Sequence, residues 1–404
     1  MNAAVPEPQV PRNAKVLAFA QALGGANPAI VISLGGLVGG ALAPSPALAT
    51  LPISVYHIGL ALGTVPAGMM MRRHGRRAGY LLGTMFGIVA GLVAAGGVIS
   101  QAFLLFCLGT LCAGLYGSYV QSYRFAAADG VASEHRARAI SWVMVGGLVA
   151  AVIGPQTVIW TRDLMPAAPF AASFLAQGAL ALLAIPVLWR LRGVPAPAGT
   201  ADAAGAARPL REIVLNPRFA VAVMAGMVSY GLMSFVMTAA PIAMVDCGHT
   251  VGQAALGIQW HVLAMFGPSF FTGGLIQRFG KGRITAAGLL LMAGSSALAL
   301  SGLDLFHFWG SLVLLGVGWN FGFIGATALI TECYRPEERT RVQACNDFLV
   351  FGSVALASLS SGGLLQSGGW QTINWIVLPT VAVVLALLLW RRGDTVSATP
   401  AAPR

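Results

Sequence analysis

The sequence predicts an all-α membrane protein, with twelve transmembrane helices in two pseudo-symmetric six-helix bundles. Three observations carry this. The 404 residues include 24 Lys and Arg and 13 Asp and Glu, 9% of the chain, where a soluble domain carries about 25%. The apolar fraction is 57% and the mean hydropathy +0.77, which leaves too few polar side chains to cover a water-facing surface. Apolar runs of about 20 residues, the length that crosses a bilayer, recur twelve times, and the second six echo the first.

The first run, 16–43, follows Arg12 and Lys15 and ends near Ala47-Leu48-Ala49, which looks like a signal-peptidase site. It is too long for a signal core and further runs follow, so it reads as a retained first helix. Runs 51–71 and 79–100 are split by the basic segment Arg72 to Arg77, and runs 102–126 and 139–160 by a segment holding Asp129, Glu134, Arg136 and Arg138. Run 169–189 closes the first half. Residues 190–217 form the longest non-apolar stretch; its middle, Gly193 to Pro209, is rich in Ala, Pro and Gly and reads as a flexible linker. Runs 218–245, 253–276, 284–303, 306–331, 342–366 and 373–390 complete the second half. The predicted units are residues 1–189, the linker 190–217 and residues 218–404.

A net charge of +11 would suit nucleic acid if the basic residues shared a soluble face. Instead, all of them except Arg162 fall in segments on the side of the two termini. Positive charge resists translocation, so the termini are placed in the cytoplasm of a protein of the inner membrane, and nucleic-acid binding is excluded. Among five cysteines no disulfide or metal spacing emerges, and Cys247 with His249 falls short of a metal site. No nucleophile with its base clusters inside the runs, so the chain does not read as an enzyme, and no cofactor is implied.

The halves repeat. Tyr56-His57 matches Trp260-His261 at an offset of 204, Gly68, Arg73, Gly75 and Arg76 match Gly273, Arg278, Gly280 and Lys281 at 205, and Asp129 and Arg136 match Glu332 and Arg339 at 203. Six spans per half make the repeats parallel, related by an axis along the membrane normal.

These residues resemble the major facilitator superfamily of secondary transporters. Gly68-Met69-Met70-Met71-Arg72-Arg73-His74-Gly75-Arg76-Arg77 looks like its signature G-x-x-x-D-R-x-G-R-R, with Gly273 to Lys281 as a degraded second copy. Asp129-x6-Arg136 and Glu332-x6-Arg339 are similar to its E-x6-R motifs. Gly154-Pro155 matches its antiporter motif only in part, and the arginine near the outer end of span four is missing. The resemblance implies alternating access, with spans one, four, seven and ten lining a central cavity. It also implies a cytoplasmic latch between halves, drawn here from Gly68, Arg72, Arg73, Gly75, Arg76, Asp129, Arg136, Arg278, Gly280, Glu332 and Arg339. Arg72 stands where the signature expects an acid, and Asp347 lies about one turn inside span eleven, so an inverted latch from Arg72 to Asp347 is expected.

The implied cavity spans hold Gln21, Asn27, Tyr116, Tyr119, Gln121, Tyr230, Trp319 and Asn320, with Met227 and Met233, and no charged residue in their middles. Amides and aromatics stack on a planar solute and hydrogen-bond its edges, but give a charged one no counter-ion. The expected cargo is a neutral or weakly charged organic molecule, vitamin-like or drug-like, carried by a monomer. Asn27-Pro28 is the sharpest candidate, because proline frees a carbonyl in mid-helix. The equivalent His57 and His261 are candidates for coupling to protons. A proton-driven multidrug exporter and a non-transporting receptor on the same fold are the alternative readings.

Overall fold

The computed structural model describes residues 12–128, 136–192, 208–335 and 338–396, and among them the chain is all-α. Span one is α1 (Arg12–Gly24) and α2 (Ala26–Leu42), interrupted at Gly25. Pro28 has no N–H to offer the Gly24 carbonyl, which places the break where the sequence predicts it. After a short turn at Pro46–Leu48, α3 (Leu51–Ile99) carries spans two and three. It doubles back at Gly75, whose φ of 82° favours glycine. Met71 lies against Gly79, a contact that a straight helix would hold about 12 Å apart.

Span four is α4 (Phe103–Gln121) with α5 (Tyr123–Ala128), span five α6 (Arg136–Thr161) and span six α7 (Ala171–Trp189). The short α8 (Leu210–Val214) precedes α9 (Pro217–Asp246), span seven. Span eight is α10 (Val251–Phe266) and α11 (Ser269–Phe279), parted at Gly267-Pro268; α12 (Lys281–Ser301) and α13 (Leu305–Ile330) are spans nine and ten. α14 (Arg339–Val396) holds spans eleven and twelve, bent at Gly369 with φ 68°. Gly280, equivalent to Gly75, has φ 89°, so the repeat extends to backbone conformation.

Lipid gives helices no hydrophobic reason to associate, so close packing of small residues does much of the work. Gly83, Gly87 and Gly91 of span three form the packing stripe that their four-residue spacing predicts. A Cβ on them would sit 2.7, 2.7 and 2.6 Å from Tyr119, from Ala181 and Tyr116, and from Gly178, respectively.

The two halves meet at the end of the bundle opposite the termini. Thr50 Oγ1 of the first half donates to the Leu359 carbonyl at 3.4 Å and accepts from the Gly362 N–H at 3.2 Å. Gly36 lies against Ile242, and Gln156 Nε2 donates to Gln259 Oε1 at 3.0 Å. The apolar clusters agree: Ile32 and Ile53 are buried among second-half residues such as Val236 and Leu365. At the termini end, clusters stay within one half, Leu17, Tyr80 and Tyr123 in one and Phe219, Ile330 and Val342 in the other. Among the described residues the two halves thus meet at the far end and stand apart at the termini end.

The linker is not flexible to its boundary. From Arg208 onward it is anchored: the Arg208 guanidinium grips Glu338 at 2.8 Å through both Nε and Nη2, and donates to the Cys333 carbonyl.

Candidate solute site and gate

Midway along the second half, Tyr230 of α9 is the hub of an aromatic cluster. Its ring meets Trp319 at 5.3 Å, Phe323 at 5.0 Å and Phe351 at 6.0 Å, each edge to face. Trp319 and Phe323, one turn apart on α13, stack at 5.4 Å, and Phe266 abuts Trp319 at 6.0 Å. The Trp319 indole N–H is buried without a hydrogen-bond partner, and a buried donor left so costs about 1–3 kcal/mol. The arrangement offers flat apolar faces and one donor, which suits a planar solute bearing a carbonyl.

The other expected cavity residues divide. Asn320 is fully buried; its amide donates to the Met265 carbonyl at 2.6 Å and to Ser269 Oγ at 2.7 Å, and its oxygen accepts from Thr272 at 2.5 Å. It splints the break in span eight, with both amide hydrogens committed there. Asn27 donates to the Ala113 carbonyl at 2.9 Å and bridges spans one and four, with its Oδ1 unpartnered. Tyr119 packs on Gly83 and stacks with Phe86 at 6.4 Å, contacts inside the first half. Gln21 folds back on the break at Gly25, and Gln121 is exposed.

The expected latch is also redistributed. Lys281 and Glu332 pair at 2.7 Å, but both belong to the second half, so this contact braces one half and does not join two. Gly75 and Gly280 are the turning points, Gly68 lies within the helix, and Arg72, Arg73 and Arg278 are exposed. Arg278 lies over the Phe279 ring at 5.2 Å, and the buried Arg76 donates to the Tyr80 hydroxyl at 3.3 Å. Asp129 and the side chains of Arg136 and Arg339 lie outside the described residues. The cation of the other half whose charge acts on Asp347 is Arg124 rather than Arg72. With the halves apart, Arg72 has no ion pair with Asp347 among the described residues.

The histidines differ. His57 Nδ1 donates to the Ile53 carbonyl of its own helix at 2.9 Å. His261 is fully buried and donates to the Leu312 carbonyl at 2.7 Å. Spans two and eleven, and five and eight, do adjoin, but the contacts fall to Thr50 and Gln156, whereas His261 faces span ten of its own half.

Sequence reasoning missed Arg124, Phe323, Phe351 and Glu338. Phe351 follows Asp347 by four residues, a spacing that puts both on one helix face. Glu338 carries no such signal, since its partner Arg208 is 130 residues away.

Two six-span halves that meet at one end, among the described residues, define the class of a multi-pass helical membrane protein. The Major Facilitator Superfamily profile matches residues 16–268 and 222–404, and the chain belongs to that family. Riboflavin transporter RfnT of Brucella anthropi is 60% identical over 94% of this chain and 96% of its own length. The uncharacterized transporter YddS of Bacillus subtilis is 31% identical over 93% and 88%. Among solved structures, a variant of the nucleoside transporter NupG superposes with a TM-score of 0.73 at 15% identity, covering 95% of this chain and 99% of that one. A D-xylose-proton symporter gives 0.72 at 14%, covering 93% and 95%.

Proposed function

We propose that this protein carries riboflavin across the cytoplasmic membrane by alternating access, as a monomer with both termini in the cytoplasm. The observation that carries the reading is the uncharged aromatic cluster around Tyr230, with the unpartnered Trp319 N–H at its heart. An isoalloxazine ring is flat, uncharged near neutral pH and edged with carbonyls, so the cluster supplies faces for stacking and a donor for an edge. The similarity to RfnT supports the same solute. The one-sided basic residues support a cytoplasmic position for the parted end, and on that orientation the described state reads as inward-open. Protons are the proposed coupling ion. Counterflow of labelled riboflavin into proteoliposomes preloaded with unlabelled riboflavin tests the reading. Accumulation above equilibrium supports it, and its absence with folded protein rejects it. Repeating the assay across an imposed pH gradient tests the coupling.

A further inference from the structure

Arg124 and Asp347 are charged, exposed, and on opposite halves. Each stands within an apolar run, Phe103–Ala127 and Arg341–Trp390, where a charge turned to lipid would be costly. Their exposure is therefore to water in the opening between the halves. Helix geometry gives Asp347 the same direction independently. Phe351, one turn further along the same face of α14, rests on Tyr230 at 6.0 Å, so Asp347 looks toward the aromatic cluster from about 5–6 Å nearer the termini end. Asn346 Nδ2 donates to its Oδ1 at 3.1 Å. On the facing side Arg124 lies over the Phe125 ring at 4.8 Å, and its charge is felt by both Tyr230 and Asp347. The two make no direct ion pair among the described residues.

We infer that Arg124 and Asp347 are a charge-balanced specificity pair, which selects solutes whose polar end is uncharged. A guanidinium alone at the mouth would favour anions, and a carboxylate alone would favour cations. Facing each other across a solute, they cancel at long range while still presenting donors on one side and acceptors on the other. The ligand class is a planar aromatic head joined to a neutral group rich in hydroxyl or amide functions. This rests on the riboflavin reading and adds to it the discrimination against charged flavins.

The test is equilibrium binding to purified protein in detergent, followed by quenching of flavin fluorescence. The probes are riboflavin and flavin mononucleotide, its phosphate ester. The quantity read is the ratio of the two dissociation constants, which does not depend on how much protein is active. Wild type should favour riboflavin. Asp347→Asn, which leaves Arg124 unopposed, should shift the ratio toward the phosphate ester on the order of tenfold. Arg124→Gln should shift it the other way, and the double variant should return it near wild type. If one single variant fails to fold, the other decides through the sign of its shift. Unchanged ratios, or loss of riboflavin binding altogether in a folded single variant, would overturn the pair while leaving the riboflavin reading intact. Absence of riboflavin binding by wild type would overturn both.

Discussion

Gln156 and Gln259 join their amides at 3.0 Å across the seam between spans five and eight. With Thr50 and Gly362 they add separable polar contacts to a seam that is otherwise apolar, where Ile32 and Ile53 sit among second-half side chains. Such hydrogen bonds each contribute about 0.5–1.5 kcal/mol net, so a few of them can hold the end shut yet release it during a cycle. Gly36 is the tightest apolar point of this seam, because a Cβ there would lie 2.8 Å from Ile242. Gly36→Leu should therefore prop the far end open and slow transport, and Ile242→Ala in the same chain should recover part of the rate. Riboflavin counterflow measured on the two variants checks this; a Gly36→Leu protein with the wild-type rate would show that the seam need not close so tightly.

The aromatic cluster predicts a graded loss. Trp319→Ala removes both the stacking face and the indole donor, and aromatic pairing contributes about 0.5–1.5 kcal/mol beyond area burial. Riboflavin affinity should fall roughly tenfold or more. Trp319→Phe keeps a face and loses only the N–H, so a smaller drop is expected. Fluorescence titration ranks the two; equal losses would mean that the donor, not the face, carries the binding.

Much of this was legible in the sequence where local chemistry decides the outcome. Pro28 breaks span one because it lacks an N–H, and Gly75 and Gly280 turn because a positive φ suits glycine; both effects are local. The facing of side chains was not legible. Helices that are apolar all round carry little record of their rotation, so nothing in the sequence showed that Asn320 turns into span eight while Tyr230 turns to the centre. The latch shows a different limit. Lys281 and Glu332 each belong to a motif copy, but a motif match does not reveal whether two loops brace one half or join two, and here the pair lies within one.

Asn320 supplies a test of that distinction. Its three hydrogen bonds all close on span eight, so Asn320→Ala leaves the Met265 carbonyl without its side-chain partner, while Thr272 keeps the Pro268 carbonyl. A destabilisation of about 1–3 kcal/mol is expected. Thermal unfolding in detergent should show it, while riboflavin affinity of the folded fraction stays near wild type. An affinity loss with unchanged melting would return Asn320 to the solute site.

Glu338 ties the linker to the second half, and its carboxyl is pulled down from 4.5 to about 2. Hydrogen bonds from the Arg208 guanidinium do most of this, helped by the backbone N–H groups of Arg335 and Arg208 and opposed by burial. A carboxyl with a depressed value binds its proton less readily folded than unfolded. Its contribution is therefore complete above about pH 4.5 and is lost as the pH falls toward about 2. The difference in melting temperature between wild type and Glu338→Gln should be constant at neutral pH and shrink through that acidic window. A difference that persisted unchanged at the acid end would assign the anchor to shape and not to charge.

His261 makes the last prediction, because its environment separates two roles that its position in the repeat left joined. The ring is sealed from water and its Nδ1 proton is committed to the Leu312 carbonyl, while Nε2 has no partner. A coupling group must exchange protons with each side in turn, and in the described state this ring is fully buried. What it does have is a bond between spans eight and ten, which orients α10 against α13. His261→Gln keeps a donor but shortens the ring, so a stability loss of about 1 kcal/mol is expected, with the pH profile of riboflavin transport unchanged. His57 bonds only within its own helix, and His57→Gln is the variant in which a flattened profile should appear if either histidine serves coupling. Transport measured from acid to neutral pH on both variants decides it; a profile flattened by His261→Gln alone would show that the seal around this ring opens during the cycle.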